Sequence, residues 1–466
     1  AEGLRIIQQK VWNFFCDNIK KYGFSEREGQ QDMALDIAEA IAEKKHLIVE
    51  AGVGIGKSFA YIVPLLFFHQ QYKRPIVIST STITLQEQLV DDIGRISEIL
   101  NYPIQIIVAK GQTHYVCRRK VEELPNSKER GALLAAIEKN ASERTHFPFA
   151  MPDSVWESIC ISNYGMKVCG KCTFYKDCCF TRLRREMKST NQAIVCNHDL
   201  LTAHLKKEKR FYPGLLPSEC PVIVIDEAHN LEDKVRSSLT HEYTKASIEG
   251  SALAASDAAV KEGTSIDSLY HAMRGYLGKL YNILNTDVEK QANRNDDYVE
   301  TGRFFFDPVQ PVIEEIERIS TILHKLNDAI QIHMRSKVSD QQEMAVDNFN
   351  EIVDSFSSLT DIDANIVWLE RTGSRSSSLK MCICPRNLPE QIYDLFFDAR
   401  HIAILTSATL AGQHKGTCAE MYKYLATNIG YPTDSKQNRI SGTMTEPKLS
   451  PFLYDEHAMM YCADDL

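Results

Sequence analysis

The chain has 466 residues, about three domains' worth at roughly 150 residues each, and its 44% hydrophobic and 25% charged residues exclude a largely disordered polypeptide. The longest apolar run of the N-terminal third, Tyr61 to Phe68, is interrupted by Pro64 and falls far short of the roughly 20 residues a bilayer span needs. No basic stretch followed by an apolar core opens the chain, so a cytoplasmic protein without a membrane partner is expected. A balance of 53 basic against 62 acidic residues gives −9, which excludes a histone-like polycation but leaves room for nucleic acid on a local basic face.

In chain order, Glu28 to Ala42 carries a helical apolar stripe at Met33, Leu35, Ile37, Ala38 and Ile41. The short strand His46–Glu50 follows, then a Gly-rich turn and a helix over Ser58–Gln71. The β-branched run Pro75–Thr80 reads as a buried strand and Leu85–Leu100 as another helix. Strand alternating with helix implies an α/β fold with a parallel sheet and crossovers. The same pattern returns at Ala193–Cys196, Val222–Ile225 and Ile402–Leu405, so two excursions interrupt one sheet.

The first excursion, about residues 111–190, holds a cysteine cluster. The second, about 232–378, is mostly helical: Ile266, Leu269, Met273, Leu277, Leu280 and Leu284 share one face. Val312, Ile316, Ile319, Leu323, Leu326 and Ile330 form a heptad seam, expected to be the core of a helical bundle. Ser374 to Ser378 reads as a polar loop.

Ala51-Gly-Val-Gly-Ile-Gly-Lys-Ser58 follows a strand and opens a helix, as a P-loop does, with Ala in place of the first Gly. Gly52, Gly54 and Gly56 let backbone N–H groups close around phosphates at a helix N-terminus. Lys57 would reach the β/γ-phosphates of ATP, and the Ser58 hydroxyl would ligate Mg²⁺. Val222-Ile-Val-Ile-Asp-Glu-Ala-His229 drives a buried strand to the C-terminal edge of the sheet. There Asp226 can hold magnesium, Glu227 can orient the attacking water, and His229 can sense the γ-phosphate.

Arg27 and Gln30 precede the first helix, where polar groups can read adenine. Thr80, Thr82 and Gln86 follow a strand and can hold nucleic-acid phosphates. Thr406, Ser407 and Thr409 follow the last strand and can relay the nucleotide state.

Thirteen cysteines without a secretory signal fit a reducing compartment better than a disulfide framework. Cys117, Cys169, Cys172 and Cys178 are spaced to bring four thiolates to one point, which suits tetrahedral zinc or a cubane iron–sulfur cluster. Cys179 competes with Cys178 for its place, and Cys160 is another candidate. Lys167 to Arg210 contains eleven Lys or Arg against four Asp or Glu, including Arg182, Arg184 and Arg185. Phe174, Tyr175, Phe180, Phe211 and Tyr212 lie in or beside it. Basic charge interleaved with aromatics suits single-stranded nucleic acid.

Taken in order, Arg27/Gln30, Ala51 to Ser58, Thr80 to Leu89, the four cysteines, Asn197-His198, Asp226 to His229 and Thr406 to Leu410 resemble the iron–sulfur DNA helicases of superfamily two. This is the DinG and XPD group, and the bacterial DinG-like branch is the nearer likeness, over essentially the whole chain. The resemblance implies a first RecA-like ATP-binding domain from residues 1–110, 190–231 and 379–412. It implies an iron–sulfur domain at 111–189 and a helical arch at 232–378. Residues 413–466 are then a linker toward a second RecA-like domain that is expected to be missing, with Ser450 to His457 resembling the link.

The resemblance also implies a 4Fe–4S cluster rather than zinc, and single-stranded or forked DNA passing beside it. ATP-driven 5′→3′ unwinding in repair or replication follows. Ile55 departs from a Thr common in the family, and the Cys169–Cys172 spacing is tighter than in some relatives. Without the second domain's arginine, which in related machines contributes roughly 10³ to 10⁵ in rate, the chain is expected to bind ATP and hydrolyse it slowly. Two other readings stand beside this one: a DEAH-type RNA helicase, and a metal-containing nucleic-acid-binding module without catalysis.

Overall fold

The structure, a computed structural model, describes residues 2–161, 169–188, 192–209, 216–217, 220–293, 302–371, 379–397, 401–433 and 440–452. Phe211, Tyr212, the Ser374–Ser378 stretch and Leu453 to His457 lie outside the described residues.

Among the described residues eleven strands form two sheets: β1 (His46–Glu50), β2 (Ile76–Thr80), β3 (Gln105–Ala109), β4 (Gln192–Asn197), β5 (Val222–Asp226), β6 (His241–Thr244), β7 (Arg303–Phe305), β8 (Asn365–Arg371), β9 (Leu379–Pro385), β10 (Ile402–Ser407) and β11 (Gly442–Met444). The larger sheet is parallel throughout, in the order β11-β1-β10-β5-β2-β4-β3. Its central strands are buried along their whole length, as strands covered on both faces must be. Of the N-terminal helices α1 (Glu2–Trp12), α2 (Glu28–Glu43), α3 (Lys57–Tyr72) and α4 (Ile83–Ile99), the last three cover one face directly. There Met33, Ile37, Ile62, Leu65 and Ile93 meet Ile78, Val224 and Ile404. Helices His198–Lys209, Leu231–Leu239 and Leu388–Phe396 cover the other, against Val77, Ile225 and Leu405.

The first excursion carries short helices around a small core of its own, built on Val121, Leu133, Phe147, Trp156 and Ile159. The second holds the long helices Ile266–Ala292, Gln310–Ile332 and Asp340–Phe356. Both stripes read from the sequence pack into one core, with Leu277, Leu280, Ile319, Leu323 and Leu326 fully buried. Leu326→Ala is therefore expected to cost about 2 to 5 kcal/mol in urea unfolding. A loss below about 1 kcal/mol would show that the seam serves a partner instead of the bundle's own core.

Two boundaries differ from the sequence expectation. The second excursion is not helical alone: β6, β9, β8 and β7 form an antiparallel sheet beneath its helices. β9, assigned by sequence to the ATP-binding domain, pairs in that sheet because Met381 and Ile383 point into the helical core. The stretch from 413 is likewise more than a linker. Tyr422, Leu425 and Ile429 are buried in the core of the parallel sheet, and β11 extends it beside β1.

Candidate active site

Chemistry gathers at the C-terminal edge of the parallel sheet, where an open α/β sheet places ligands. The P-loop leaves β1 at Ala51, whose N–H donates to Ser407 O (3.0 Å). Gly54 and Gly56 adopt φ of 86° and 89°, which a side chain would strain, and a Cβ at Gly56 would run into the Gln30 amide. Arg27 Nη1 donates to Gly54 O (2.6 Å) and Gln30 Nε2 to Gly56 O (3.0 Å). The pair expected to read adenine therefore also clamps the loop from outside. A second clamp comes from the far end of the chain: Gly52 N donates to Lys448 O (2.9 Å), Ser450 Oγ donates to Val53 O (2.7 Å), and the Phe452 ring covers Gly54.

Lys57 opens α3 and reaches both carboxylates of the second motif, 2.6 Å from Glu227 Oε1 and 3.1 Å from Asp226 Oδ1. Burial works against its charge, but Asp226 and Glu227 outweigh burial and hold its pKa above the ordinary lysine value. Burial raises Asp226 despite Lys57 beside it. Glu227, more exposed, is held below its ordinary value, because hydrogen bonds from Lys57 and Ser407 overcome its burial. The Ser58 hydroxyl meets Tyr61 and Asp92, and Tyr61 OH donates to Asp226 Oδ2 (3.1 Å). One cation, a hydroxyl and two acidic groups thus face the mouth of the P-loop, the set that binding of a magnesium–phosphate pair requires.

Glu227 sits at φ 57°, a left-handed conformation rare for a side chain of its size. The turn swings its carboxylate out between Lys57 and the end of β10. Ser407 Oγ donates to Glu227 Oε2 (2.9 Å), leaving its lone pair for the N–H of His229 Nδ1 (2.7 Å). His229, Glu227 and Ser407 therefore form one hydrogen-bonded unit across β5 and β10. Thr406 is buried beside it, and Thr409 is exposed on the following loop.

Glu50 carried no sequence signal of a role, and His198 stood only within the Asn197-His198 pair. Glu50, buried just before the P-loop, accepts from Leu410 N (2.5 Å) and Ala411 N (2.6 Å), tying the loop after β10 to β1. His198 Nδ1 lies 2.8 Å from Ser79 Oγ, and burial lowers its pKa to about 4, which keeps it neutral. Of the residues expected to meet nucleic acid, Thr82 is exposed and caps α4, whereas Thr80 and Gln86 are buried in this conformation.

Cys117, Cys169, Cys172 and Cys178 line one cavity of about 340 Å³, together with Cys179, Arg118 and Phe174. Cys117 and Cys178 each sit at a helix N-cap. Tetrahedral zinc, with Zn–S near 2.3 Å, needs sulfurs about 3.8 Å apart. Among the described residues no three of these sulfurs lie within 4.8 Å of one another. A hydrogen bond from Cys179 lowers Cys178 to about 6, whereas Cys179 is raised by the same contact.

The group that does meet the 4.8 Å spacing is Glu242, Glu370 and Cys382 on the second sheet. Lys380 (2.8 Å from Glu242) and Arg303 (3.1 Å from Glu370) already neutralise its carboxylates. Around the cysteine cavity Arg118, Arg184 and Arg185 lie over Phe174, Phe180 and Tyr175, with guanidinium-to-ring distances of 4.9, 5.7 and 5.8 Å. Arg182 and Arg185 are exposed and Arg184 half-buried.

The DEAD/DEAH box helicase family model matches residues 30–135. The chain is 24% identical over 469 aligned residues to the probable ATP-dependent helicase YpvA of Bacillus subtilis, covering 96% of this chain and 68% of that protein. It is 30% identical over 254 residues to the ATP-dependent helicase DinG of Mycobacterium tuberculosis, covering 48% of this chain and 37% of the relative. The chain thus spans about two thirds of the first protein and little more than a third of the second. The solved structure of S. tokodaii Xpd4 aligns with 84% of this chain and 59% of its own, at 14% identity and a TM-score of 0.37. Its P-loop and DEAH carboxylates join at one sheet edge, and the chain is similar there to DEAD/DEAH-box helicases, among them proteins named ATP-dependent helicase DinG and probable ATP-dependent helicase YpvA.

Proposed function

We propose that this chain is the ATP-binding motor of a 5′→3′ DNA helicase that works in the cytoplasm on single-stranded or forked DNA, in repair or replication. The observation that carries the reading is the unbroken network Lys57–Glu227–Ser407–His229, with Asp226 and Tyr61 beside it. Lys57 and Ser58 would bind ATP and Mg²⁺, Asp226 would hold the metal, and Glu227 would orient the attacking water. Ser407 and His229 would carry the change at Glu227 to β10 and its loop. A second RecA-like domain is the partner that would complete the nucleotide site with a positive charge.

Cys117, Cys169, Cys172 and Cys178 would hold a 4Fe–4S cluster, which supplies a rigid cross-link to the small first excursion. The four cysteines lining one cavity support this, and the Cys179-to-Cys178 hydrogen bond supports Cys178 as the fourth ligand. The arginines around the cavity and on helix Cys179–Glu186 would track the phosphates of DNA.

Hydrolysis of ATP with and without single-stranded DNA, in the presence of the second domain, tests the motor reading. DNA should stimulate turnover, and Glu227→Gln should abolish it; turnover that survives in this variant would overturn the assignment. Single-stranded DNA affinity should fall steeply with salt, and Arg182→Ala with Arg185→Ala should flatten the log–log slope by about 1 to 2. A slope unchanged by the double substitution would move the DNA path elsewhere.

A further inference from the structure

Glu50 ends β1 directly before the P-loop and is 5% exposed. A buried carboxylate is costly unless it is hydrogen-bonded or paired. Among the described residues its ion-pair contact is with His414, whose Nδ1 lies 3.7 Å from Oε1 on a largely exposed side chain. Its stronger partners are backbone groups: Leu410 N and Ala411 N both donate to Oε2, at 2.5 and 2.6 Å. Both N–H groups belong to the loop that follows β10. Charge-assisted bonds of this kind are roughly twice as strong as neutral ones.

Three further contacts converge on the same residue. In the parallel ladder Glu50 stands opposite Ser407, and alternation places both on the face of Ile48 and Leu405. The Glu50 N–H donates to the hydroxyl of the fully buried Tyr422 (3.1 Å), and Lys448 N donates to the Glu50 carbonyl (2.8 Å). The next residue, Ala51, donates to Ser407 O (3.0 Å). Ser407 is thus held to the root of the P-loop at two points: directly by Ala51, and three and four residues further on by the Glu50 carboxylate. Its own hydroxyl joins Glu227 to His229.

We propose that Glu50 is a positioning residue. By clamping the loop after β10 to the root of the P-loop, its carboxylate fixes where Ser407 presents its hydroxyl to Glu227 and His229. None of the contacts above is with Lys57, Ser58, Asp226 or Glu227, so Glu50 acts through Ser407 and not on the phosphates. The clamp follows from the hydrogen bonds alone; its effect on turnover rests on the motor reading above.

Hydrogen exchange reads the clamp. In Glu50→Ala the backbone amides of residues 408–412 should exchange about tenfold faster than in wild type, the loss expected for a charge-assisted bond. Exchange in the helix Gln310–Ile332 should stay as it was. Unchanged exchange at 408–412 overturns the clamp.

Turnover reads the positioning. With the second domain present, Glu50→Ala should lower kcat about ten- to a hundredfold, as a misplacement near 1 Å does. Its dissociation constant for ATP should stay within about threefold of wild type, since no ground-state contact to the nucleotide is removed. Glu50→Gln keeps an oxygen that can accept both N–H groups, so kcat should return to within about threefold of wild type. Glu50→Asp keeps the charge but withdraws it by one methylene, and should behave as the alanine variant does. Unchanged turnover in Glu50→Ala, ATP affinity that falls in step with turnover, or a glutamine variant no better than alanine overturns the proposal. Should Glu50→Ala not fold, the contrast between Glu50→Asp and Glu50→Gln decides on the same readouts. A wild-type protein without DNA-stimulated turnover refutes the motor reading instead, and hydrogen exchange then decides the clamp.

Discussion

ATP binding by the Lys57→Ala protein, measured by calorimetry with Mg²⁺ present, is expected to be at least tenfold weaker than wild type. A charge-assisted hydrogen bond contributes about 1.5 to 3 kcal/mol, and about 1.4 kcal/mol is a factor of ten. The geometry adds a second loss. Lys57 lies within hydrogen-bond reach of both Asp226 and Glu227, and Asp226 is buried. Without the ammonium, two carboxylates face each other at the sheet edge, and the buried one takes up a proton more readily. The substitution therefore weakens the magnesium site as well as the phosphate contact. Lys57→Arg restores the charge but brings a planar, bulkier group, so it should recover part of the magnesium affinity and little of the ATP affinity. Equal ATP affinity in wild type and Lys57→Ala would sink the nucleotide assignment.

Replacing Cys117, Cys169, Cys172 or Cys178 with Ser is expected to remove most of the bound iron from anaerobically prepared protein and to open residues 111–190 to proteolysis. The first excursion has a core of few large side chains, so a metal cluster pinning Cys117 to the Cys169–Cys178 segment would supply much of its folding free energy. Cys179→Ser serves as the contrast. Cys179 is a hydrogen-bond partner of Cys178 in the same cavity, so its loss should leave iron content near wild type. Iron retained in Cys178→Ser and lost in Cys179→Ser would exchange the two roles. Zinc at one equivalent in place of iron would overturn the cluster and keep the ligand set.

The P-loop, the DEAH strand and their neighbours were legible in the sequence because each is a local device. Gly54 and Gly56 sit where φ is positive, Lys57 and Ser58 open a helix directly behind a strand, and four β-branched residues carry Asp226 to the sheet edge. The long stripes at 266–284 and 312–330 were legible for the same reason, since helical periodicity reports burial without reference to any partner. Strands β6 to β9 were harder: on one face Glu242, Lys380, Glu370 and Arg303 pair across strands and dilute the apolar alternation, so the excursion reads as mostly helical and β9 as part of the ATP-binding domain. β11, three residues at an edge, has too little length for a pattern.

By itself the sequence determined the fold class, the order of the motifs and the chemistry available at 51–58, 226–229 and the four cysteines, because these depend on residue type and spacing along a few turns of chain. Only the tertiary structure decided who stands beside whom. It set Glu50 under Leu410 and Ala411, and Ser450 and Phe452 on the P-loop. It joined Ser407 to Glu227 and His229, and set Thr80 and Thr406 on the strands either side of Asp226. Those contacts join residues tens to hundreds of positions apart, through the register of a sheet whose neighbours are not consecutive in the chain, and no local pattern encodes that register.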